Sequence, residues 1–212
     1  MNPDFIEVYD GVLEPSQCKE LREYIDSQEL DKGLVGIRGN IAGYRKDIKD
    51  VYQVADTFFS NETWVEDYLL RPLIEFTSEY VKTHPQIDRI DHWEVYNNYN
   101  LQKYDPGMCY WGEHCEQATA KSTRMLVWMI YLNTITEGGG TYFGNYDRTL
   151  DAVEGRLVIW PAYWTHMHRG VVSNTQTKYI ATGWYNFTER SDVEEWTMVH
   201  GGEEHVRKSI LA

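Results

Sequence analysis

The sequence predicts an α+β protein, a β-sandwich or barrel with helices packed on one side. Up to about residue 89, two segments place apolar residues at helical spacing, and from Ile90 onward apolar positions alternate with the period of a strand. Turn-type residues divide this second part into many short segments. The chain also contains 8 tryptophans and 16 tyrosines, and such residues favour strands and aromatic-lined clefts over a helical bundle. Helices followed by a run of short strands are typical of this fold class.

The N-terminal part is predicted to contain one strand and two helices. Residues 5–9 alternate like a short strand, and a helix follows near Pro15, which a first helical turn tolerates. Residues 61–83 carry a longer apolar stripe at helical spacing, which Pro72 should kink or divide. Residues 32–46 are rich in glycine and lack a period, so a long loop is predicted there. The apolar face of the first helix holds Cys18, Leu21 and Ile25.

The second part of the chain is predicted to form short strands separated by turns. The clearest turns are residues 105–107 (DPG) and 137–140 (EGGG). The tail, residues 191–212, is acidic and then mixed in charge, and we predict a short helix or disorder for it. The predicted strands are residues 93–99, 101–104, 123–133, 141–143, 156–160, 168–172 and 178–187.

The composition indicates one globular domain and argues against two classes of partner. A length of 212 residues suits a single domain. The net charge of −13 repels phosphate backbones, so no nucleic acid is expected as a partner. The cysteines Cys18, Cys109 and Cys115 lack the spacing of a secreted disulfide framework, which favours the reducing cytoplasm. No apolar run reaches the length of a membrane span, so no membrane association is expected. The oligomeric state stays open.

A candidate metal site consists of His114, Glu116 and a more distant histidine. On a strand, residues two apart face the same side, so His114 and Glu116 can grip one ion while Cys115 points away. Two imidazoles and one carboxylate are the ligands of mononuclear non-haem iron(II) sites, in which open positions remain for substrate and O₂. A histidine and a glutamate two apart also occur often by chance, as surface residues at the end of a strand.

The third ligand is His166 or His168, since both lie in one short segment. Lys178 favours His168, because it follows that histidine by ten residues. This spacing suits two adjacent antiparallel strands joined by a turn at residues 173–177. A cation there would anchor the far end of an acidic co-substrate. Isolated lysines are usually solvated, so the prediction depends on the spacing.

Several motifs in a fixed order resemble the prolyl 4-hydroxylase branch of the 2-oxoglutarate- and Fe(II)-dependent dioxygenases. The resemblance covers most of the chain, and residues 9–13 (YDGVL) also look like the family's opening. It implies a double-stranded β-helix (jelly-roll) core with the N-terminal helices packed on one sheet. The implied domain spans residues 1–190, with a helical part of about 1–89 and a core of about 90–190. The motifs are residues 101–107 (LQKYDPG) with Tyr110, 114–116 (HCE), 131–133 (YLN), 137–143 (EGGGTYF), 155–161 (GRLVIWP), and His168 with Val172 and Lys178.

The resemblance also implies roles for individual residues. His114, Glu116 and His168 match the iron ligands of the family. Lys178 matches the basic residue that pairs with the distal carboxylate of 2-oxoglutarate, and Tyr104 matches the tyrosine that hydrogen-bonds that carboxylate. The positions that match the lining of the co-substrate and iron pocket are Thr141 and Trp184.

The implied activity is hydroxylation of an unactivated C–H bond with Fe(II), 2-oxoglutarate as co-substrate, O₂, and ascorbate as reductant. A prolyl residue in a peptide or protein is the expected substrate, and a free amino acid or another side chain is the alternative. Two other interpretations compete with this one. A non-catalytic, cupin-like module would bind metal without turnover, and a nucleobase-modifying oxygenase would need a basic groove that the net charge disfavours.

Two positions depart from the family pattern. Glu116 stands where this branch usually has aspartate, so its longer side chain must fold back to keep the distance between metal and oxygen. One extra residue lies between Tyr110 and His114, which we interpret as a bulge that re-aims the strand. Both departures bear on substrate identity more than on metal binding.

Overall fold

The computed structural model describes residues 4–37, 41–58, 63–118, 121 and 123–188. The predicted tail, residues 191–212, lies outside them. The helices of the described part are α1 (Pro15–Ser27) and α2 (Thr63–Thr83). Its strands are β1 (Glu7–Tyr9), β2 (Asp31–Lys32), β3 (Val35–Ile37), β4 (Ile41–Gly43), β5 (Tyr52–Thr57), β6 (Trp93–Tyr104), β7 (Arg124–Tyr131), β8 (Thr141–Phe143), β9 (Arg148–Leu150), β10 (Arg156–Pro161), β11 (His168–Gly170) and β12 (Lys178–Phe187).

The strands form a large and a small antiparallel sheet that pack on each other. The seven-stranded sheet has the order β1-β10-β7-β12-β6-β5-β2, and the three-stranded sheet has the order β11-β8-β9. Strands β3 and β4 pair separately. The helices α1 and α2 cover the outer face of the large sheet. The predicted jelly-roll core with N-terminal helices on one sheet is therefore confirmed.

Strand β7 contributes side chains to two hydrophobic clusters, one on each face of the large sheet. All of its residues are buried, because each of its faces is covered. Trp128 and Ile130 pack against the apolar faces of α1 and α2. Met129 and Tyr131 point the opposite way, as alternation along a strand requires, and pack with Phe143 of the small sheet. Each such buried side chain contributes roughly 1.5–3 kcal/mol.

The helices follow the sequence prediction in position, with one difference. Helix α1 begins at Pro15, and the Gln17 side chain accepts a hydrogen bond from the Glu14 amide at 2.9 Å. The predicted division at Pro72 does not occur, since α2 continues through it. The burial of Leu69 and Leu73 on either side of the proline offsets the lost backbone hydrogen bond. The predicted apolar face of α1 is fully buried: Cys18, Leu21 and Ile25. No helix among the described residues is long and apolar enough to cross a membrane.

The N-terminal part contributes more strand than its sequence indicates. The predicted long loop at residues 32–46 is wrong, because β3 and β4 pair there with Gly36 opposite Ala42. Glycine and alanine remove the alternation by which a strand is recognised. Strand β5 was also missed, since Ala55 and Asp56 interrupt its apolar pattern. Strands β1, β2 and β5 all join the large sheet. The separately predicted strands 93–99 and 101–104 are one strand, β6.

Candidate active site

A cavity of about 940 Å³ lies between the two sheets. Its walls come from the inner faces of β6, β7 and β12 on one side and from β8 and β11 on the other. The segment that precedes β7 along the chain also contributes, with His114 and Glu116. All the site residues predicted from the sequence line this cavity: Tyr104, His114, Glu116, Thr141, His168, Lys178 and Trp184.

Three potential metal ligands converge at one edge of the cavity. One ligand atom from each of His114, Glu116 and His168 lies within 4.8 Å of the other two. The Glu116 Oε1 atom is 3.3 Å from His114 Nε2 and 3.8 Å from His168 Nε2. Two imidazole nitrogens and one carboxylate oxygen are a donor set suited to a non-haem iron(II) ion. The donor set therefore fits the metal that the sequence predicts.

Backbone hydrogen bonds hold this group of ligands together. The His114 amide donates to the His168 carbonyl at 2.9 Å, and the His168 amide donates to the His114 carbonyl at 2.8 Å. His168 begins β11, but His114 lies in an irregular segment and forms only an isolated bridge. The expectation that His114 and Glu116 share a strand is thus wrong. The Glu116 amide is fixed separately, by the Ala162 carbonyl at 3.1 Å.

The rings of both histidines are oriented by backbone carbonyls. His114 Nδ1 donates to the Gly112 carbonyl at 2.8 Å, and His168 Nδ1 donates to the His166 carbonyl at 2.9 Å. A carbonyl only accepts, so each ring carries its proton on Nδ1 and presents Nε2 to the cavity. Burial and the neighbouring His114 lower the pKa of His168 to about 3. His168 is therefore neutral at physiological pH, as a metal ligand must be.

The carboxylate of Glu116 is anchored through its second oxygen. Glu116 Oε2 accepts hydrogen bonds from Trp184 Nε1 at 3.1 Å and from the Arg124 guanidinium at 3.0 Å. The guanidinium in turn stacks on the Trp184 ring, 3.3 Å from its centroid. Burial acts to raise the pKa of Glu116, but the neighbouring His114, His168 and Arg124 outweigh it and hold the pKa below its usual range. The glutamate arm thus reaches from the two histidines to Trp184.

The other histidine of the pair, His166, is turned away from the ligand group. Its Nε2 lies 2.7 Å from the Asp4 carbonyl, and its Nδ1 lies 2.9 Å from the Thr165 hydroxyl. Its contribution to the site is the backbone carbonyl that orients His168. The structure thus places the ring of His168, and not that of His166, beside His114 and Glu116.

Lys178 and Tyr104 form the far end of the cavity. They are register partners on β12 and β6, and the Lys178 ammonium lies 4.6 Å from the centre of the Tyr104 ring. Only 6% of Lys178 is exposed, and no acidic side chain among the described residues pairs with it. Burial lowers the pKa of Lys178 to about 8. A buried ammonium without a counter-charge is costly unless an anion joins it.

The expectation that His168 and Lys178 lie on adjacent antiparallel strands is wrong. Strand β11 belongs to the small sheet and β12 to the large one, so the two residues do not lie on adjacent strands. The connection after β11 crosses between the sheets, and both side chains still face the shared cavity. The two residues thus reach one cavity by a different geometry from the one that the ten-residue spacing predicted.

Hydroxyl groups complete the walls near Lys178. The Tyr104 hydroxyl donates to Gln102 Oε1 at 2.8 Å. The Thr141 hydroxyl lies 2.7 Å from the Tyr131 hydroxyl, and both residues are buried. These groups can turn toward an anion, because a hydroxyl proton rotates about its C–O bond.

Sequence reasoning missed three residues of the site. Arg124 is the first residue of the apolar strand β7. Its buried guanidinium is stabilised by the ion pair with Glu116. Gln102 lies within the 101–107 motif but received no role, and Lys49 lies in a segment whose pattern carries no chemical signal. The predicted bulge has a counterpart here, since the amides of Trp111 and Gly112 both donate to the Ile48 carbonyl, at 2.8 and 3.1 Å.

Comparison with known proteins finds a family model that matches the part of the sequence carrying most of the cavity residues. Residues 99–186 match the sequence model of the 2OG-Fe(II) oxygenase superfamily. The matched stretch contains all three potential iron ligands and Lys178. No curated protein matches the chain by sequence.

Solved structures of similar fold include prolyl hydroxylases. A viral collagen prolyl hydroxylase from Paramecium bursaria Chlorella virus-1, in complex with 2-oxoglutarate, has a TM-score of 0.65 at 20% identity, over 88% of this chain and 98% of that one. A prolyl-4-hydroxylase from Pseudomonas putida has a TM-score of 0.65 at 15% identity, over 88% and 95%. A prolyl hydroxylase from Trichoplax adhaerens, in complex with a peptide fragment of the hypoxia inducible factor oxygen degradation domain, has a TM-score of 0.64 at 16% identity, over 95% and 89%.

At these identities the structural likeness establishes the fold, while the sequence match bears on the chemistry. The matched family uses Fe(II), 2-oxoglutarate and O₂, and the convergent His114, Glu116 and His168 fit the iron. Over residues 99–186 the chain is similar to the 2-oxoglutarate- and Fe(II)-dependent oxygenases, and its fold resembles that of prolyl 4-hydroxylases.

Proposed function

We propose that this oxygenase hydroxylates a prolyl residue in a peptide or protein, with His114, Glu116 and His168 as the iron ligands. The observation that carries the proposal is the convergence of their ligand atoms within 4.8 Å of one another, in one cavity with the unpaired Lys178. When bound, Fe(II) with 2-oxoglutarate and O₂ supplies the oxidation that converts a C–H bond to an alcohol, while 2-oxoglutarate becomes succinate and CO₂. The residues of the chain bind, orient and shield the reactants.

In this proposal Lys178 binds the distal carboxylate of 2-oxoglutarate. Its ammonium is buried and has no counter-charge among the described residues, so the carboxylate supplies the missing partner. Tyr104 donates its hydroxyl to the same carboxylate after turning from Gln102, and Thr141 lines the pocket beside it. Trp184 acts on the iron side, where it holds the Glu116 carboxylate in place.

The affinity for 2-oxoglutarate should depend on pH through Lys178. The pKa of this lysine is about 8 in the protein without co-substrate, below the ordinary 10.5. The charged form, which attracts the carboxylate, predominates below pH 8 and is lost above it. We expect the affinity for 2-oxoglutarate to be constant below about pH 8. Above that pH it should fall by a factor that approaches tenfold for each unit of pH increase. Calorimetric titration with Mn(II) in place of iron measures this, and a Lys178→Met variant should give a flat profile.

Shortening Glu116 should impair turnover. The wild-type carboxylate spans from the two histidines to Trp184 and Arg124, and an aspartate at 116 cannot keep both contacts. We expect Glu116→Asp to form succinate about 10- to 100-fold more slowly, in line with the effect of disturbing the hydrogen bonds around metal ligands. Glu116→Ala should show no hydroxylation. The matched control is Glu113→Asp, which shortens an exposed glutamate three residues away. A Glu116→Asp enzyme as fast as the wild type would contradict this account of the carboxylate.

The prolyl substrate is supported by the motif resemblance and by the folds of the similar structures. A panel of proline-containing peptides, matched alanine peptides and free proline, incubated with Fe(II), ascorbate and 2-oxoglutarate, tests it by mass spectrometry. The expected result is addition of one oxygen atom to a proline-containing peptide, coupled to succinate. Hydroxylation of free proline alone would replace the peptide substrate with an amino acid. Iron-loaded protein that forms no succinate with any compound would favour a binding module.

We also propose that the reaction takes place in the cytoplasm. All three cysteines, Cys18, Cys109 and Cys115, are free thiols. Free thiols together with an absence of disulfides support a reducing compartment.

A further inference from the structure

The cavity contains a second buried lysine, Lys49, for which the proposed reaction has so far given no role. Only 8% of Lys49 is exposed, and its ammonium lies 5.1 Å from the centre of the Tyr110 ring. No hydrogen bond or ion pair to its ammonium occurs within the described part of the chain. Burial lowers the pKa of Lys49 to about 8. As with Lys178, burial of this cation without a partner is costly, and an anion bound in the cavity would stabilise it.

The position of Lys49 is fixed by the segment that carries the iron ligands. Lys49 forms an isolated bridge with Tyr110, and the Asp50 amide donates to the Cys109 carbonyl at 2.8 Å. Tyr110 in turn stacks on the ring of His114, with 3.7 Å between ring centres. On its other side the lysine stem packs so closely on Gly33 that a Cβ there would lie 3.1 Å from Lys49 Cε. Lys49 is thus held against the iron site by backbone contacts.

Glu116 cannot serve as the counter-ion of Lys49. Its Oε1 faces the two histidines, and its Oε2 is taken by Trp184 and Arg124. The charges that act on Lys49 are those of Glu116, Lys121 and Arg124. An excess of positive charge therefore gathers on the Glu116 side of the cavity, although the protein carries a net charge of −13. Screening limits distant surface charges to a range of about 8–10 Å, so the local cations determine which groups this side attracts.

Lys49 and Lys178 contact different rings on the cavity wall. Lys178 lies over Tyr104, and Cys109 is the charged group that acts on its pKa, whereas Lys49 lies beside Tyr110, which stacks on His114, and Glu116 acts on its pKa. Lys178 can therefore hold the far end of an extended co-substrate whose near end is at the iron ligands. Lys49, on the side of Glu116, lies where the compound to be oxidised must approach the same ligands.

We propose that Lys49 binds a carboxylate of the substrate and so selects an acidic group beside the carbon that is hydroxylated. This inference rests on the proposed function. The carboxylate can come from an aspartate or glutamate next to the target proline, or from the main-chain terminus of a C-terminal or free proline. Both sources present the same chemistry to the ammonium.

Binding of paired peptides tests this role without turnover. The protein is loaded with Mn(II) and 2-oxoglutarate under nitrogen, and the affinities of peptides that differ only by Glu or Gln beside the proline are compared by fluorescence polarisation. The set also includes each peptide with a free or an amidated C-terminus, the same pairs with alanine in place of proline, and free proline. The wild type should bind the carboxylate member of at least one pair about 10- to 100-fold more tightly, as a charge-assisted contact implies.

In Lys49→Met this preference should disappear, while the affinity for 2-oxoglutarate remains that of the wild type. Lys46→Met is the matched control, since the Lys46 side chain is 75% exposed three residues before Lys49, and it should keep the preference. A preference that survives in Lys49→Met, equal binding within every pair, or no binding of any member would overturn the inference. Loss of 2-oxoglutarate affinity in Lys49→Met would assign the residue to the co-substrate instead. A carboxylate preference that persists with alanine in place of proline would support Lys49 and count against the prolyl substrate.

Discussion

Replacing His168 with alanine is expected to abolish iron binding at physiological metal concentrations and to stop hydroxylation. The variant loses one of three ligand atoms that converge within 4.8 Å, and the remaining imidazole and carboxylate can hold the ion only weakly. Anaerobic titration with Fe(II), followed by metal analysis of the desalted protein, measures the loss directly. Succinate formation in the presence of a peptide substrate measures the consequence for turnover.

The informative control is His166→Ala, two residues away. The ring of His166 contacts Asp4 and Thr165, and only its backbone carbonyl supports the ligand group, which alanine retains. This variant should keep its iron and most of its activity, with a modest loss of thermal stability from the lost ring contacts. If His166→Ala lost the metal and His168→Ala kept it, our assignment of the third ligand would be wrong.

Replacing Lys178 with methionine should weaken 2-oxoglutarate binding by about 10- to 100-fold, the value of a charge-assisted contact to a buried carboxylate. Iron binding should change little, because the ammonium lies over Tyr104 and away from the ligand group. Methionine keeps most of the apolar stem, so the wall of the cavity stays filled. Titrations with 2-oxoglutarate and with the metal, made separately, distinguish the two effects.

Stability separates a functional role of Lys178 from a structural one. Burial disfavours the charged ammonium, so Lys178→Met without co-substrate should unfold at the same temperature as the wild type or higher. Lys103→Met is the matched control: Lys103 is opposite Tyr179 on the neighbouring strand, and its partly exposed ammonium pairs with Asp26 at 2.7 Å. That variant should bind 2-oxoglutarate normally and lose at most about 1 kcal/mol of stability. Unchanged 2-oxoglutarate affinity in Lys178→Met would remove Lys178 from the co-substrate site.

The strands β7, β8 and β12, which line the cavity, were predictable because their residues alternate or are apolar throughout. The predicted segments 141–143 and 178–187 coincide with β8 and β12, and the apolar run after Thr123 predicted β7. The elements that escaped prediction have no such pattern. Strand β9 has three residues, and β3 and β4 contain glycine where a strand would show a side chain.

The candidate site was predictable where motifs carry chemistry and unpredictable where distant segments meet. The motif residues His114, Glu116, His168 and Lys178 all line one cavity. Lys49 could not be placed there from sequence, because a turn remote in sequence brings it to Tyr110. Arg124 escaped for a related reason: its partner Glu116 is eight residues away, and the sequence between them shows no period.

The reciprocal backbone bonds between His114 and His168 have a consequence for how the enzyme acquires its metal. The ligand atoms are placed by amides, carbonyls, Arg124 and Trp184, none of which needs an ion to hold its position. We therefore expect the protein to fold before it binds metal, unlike small metal-dependent domains that are unfolded without their ion. Iron should then dissociate from and rebind to a protein that stays folded. Its binding adds to the free energy of unfolding by an amount that grows with the logarithm of the free metal concentration divided by the dissociation constant. The fraction of active enzyme should therefore depend on the current concentration of free iron. It should not depend on the iron concentration at the time of folding.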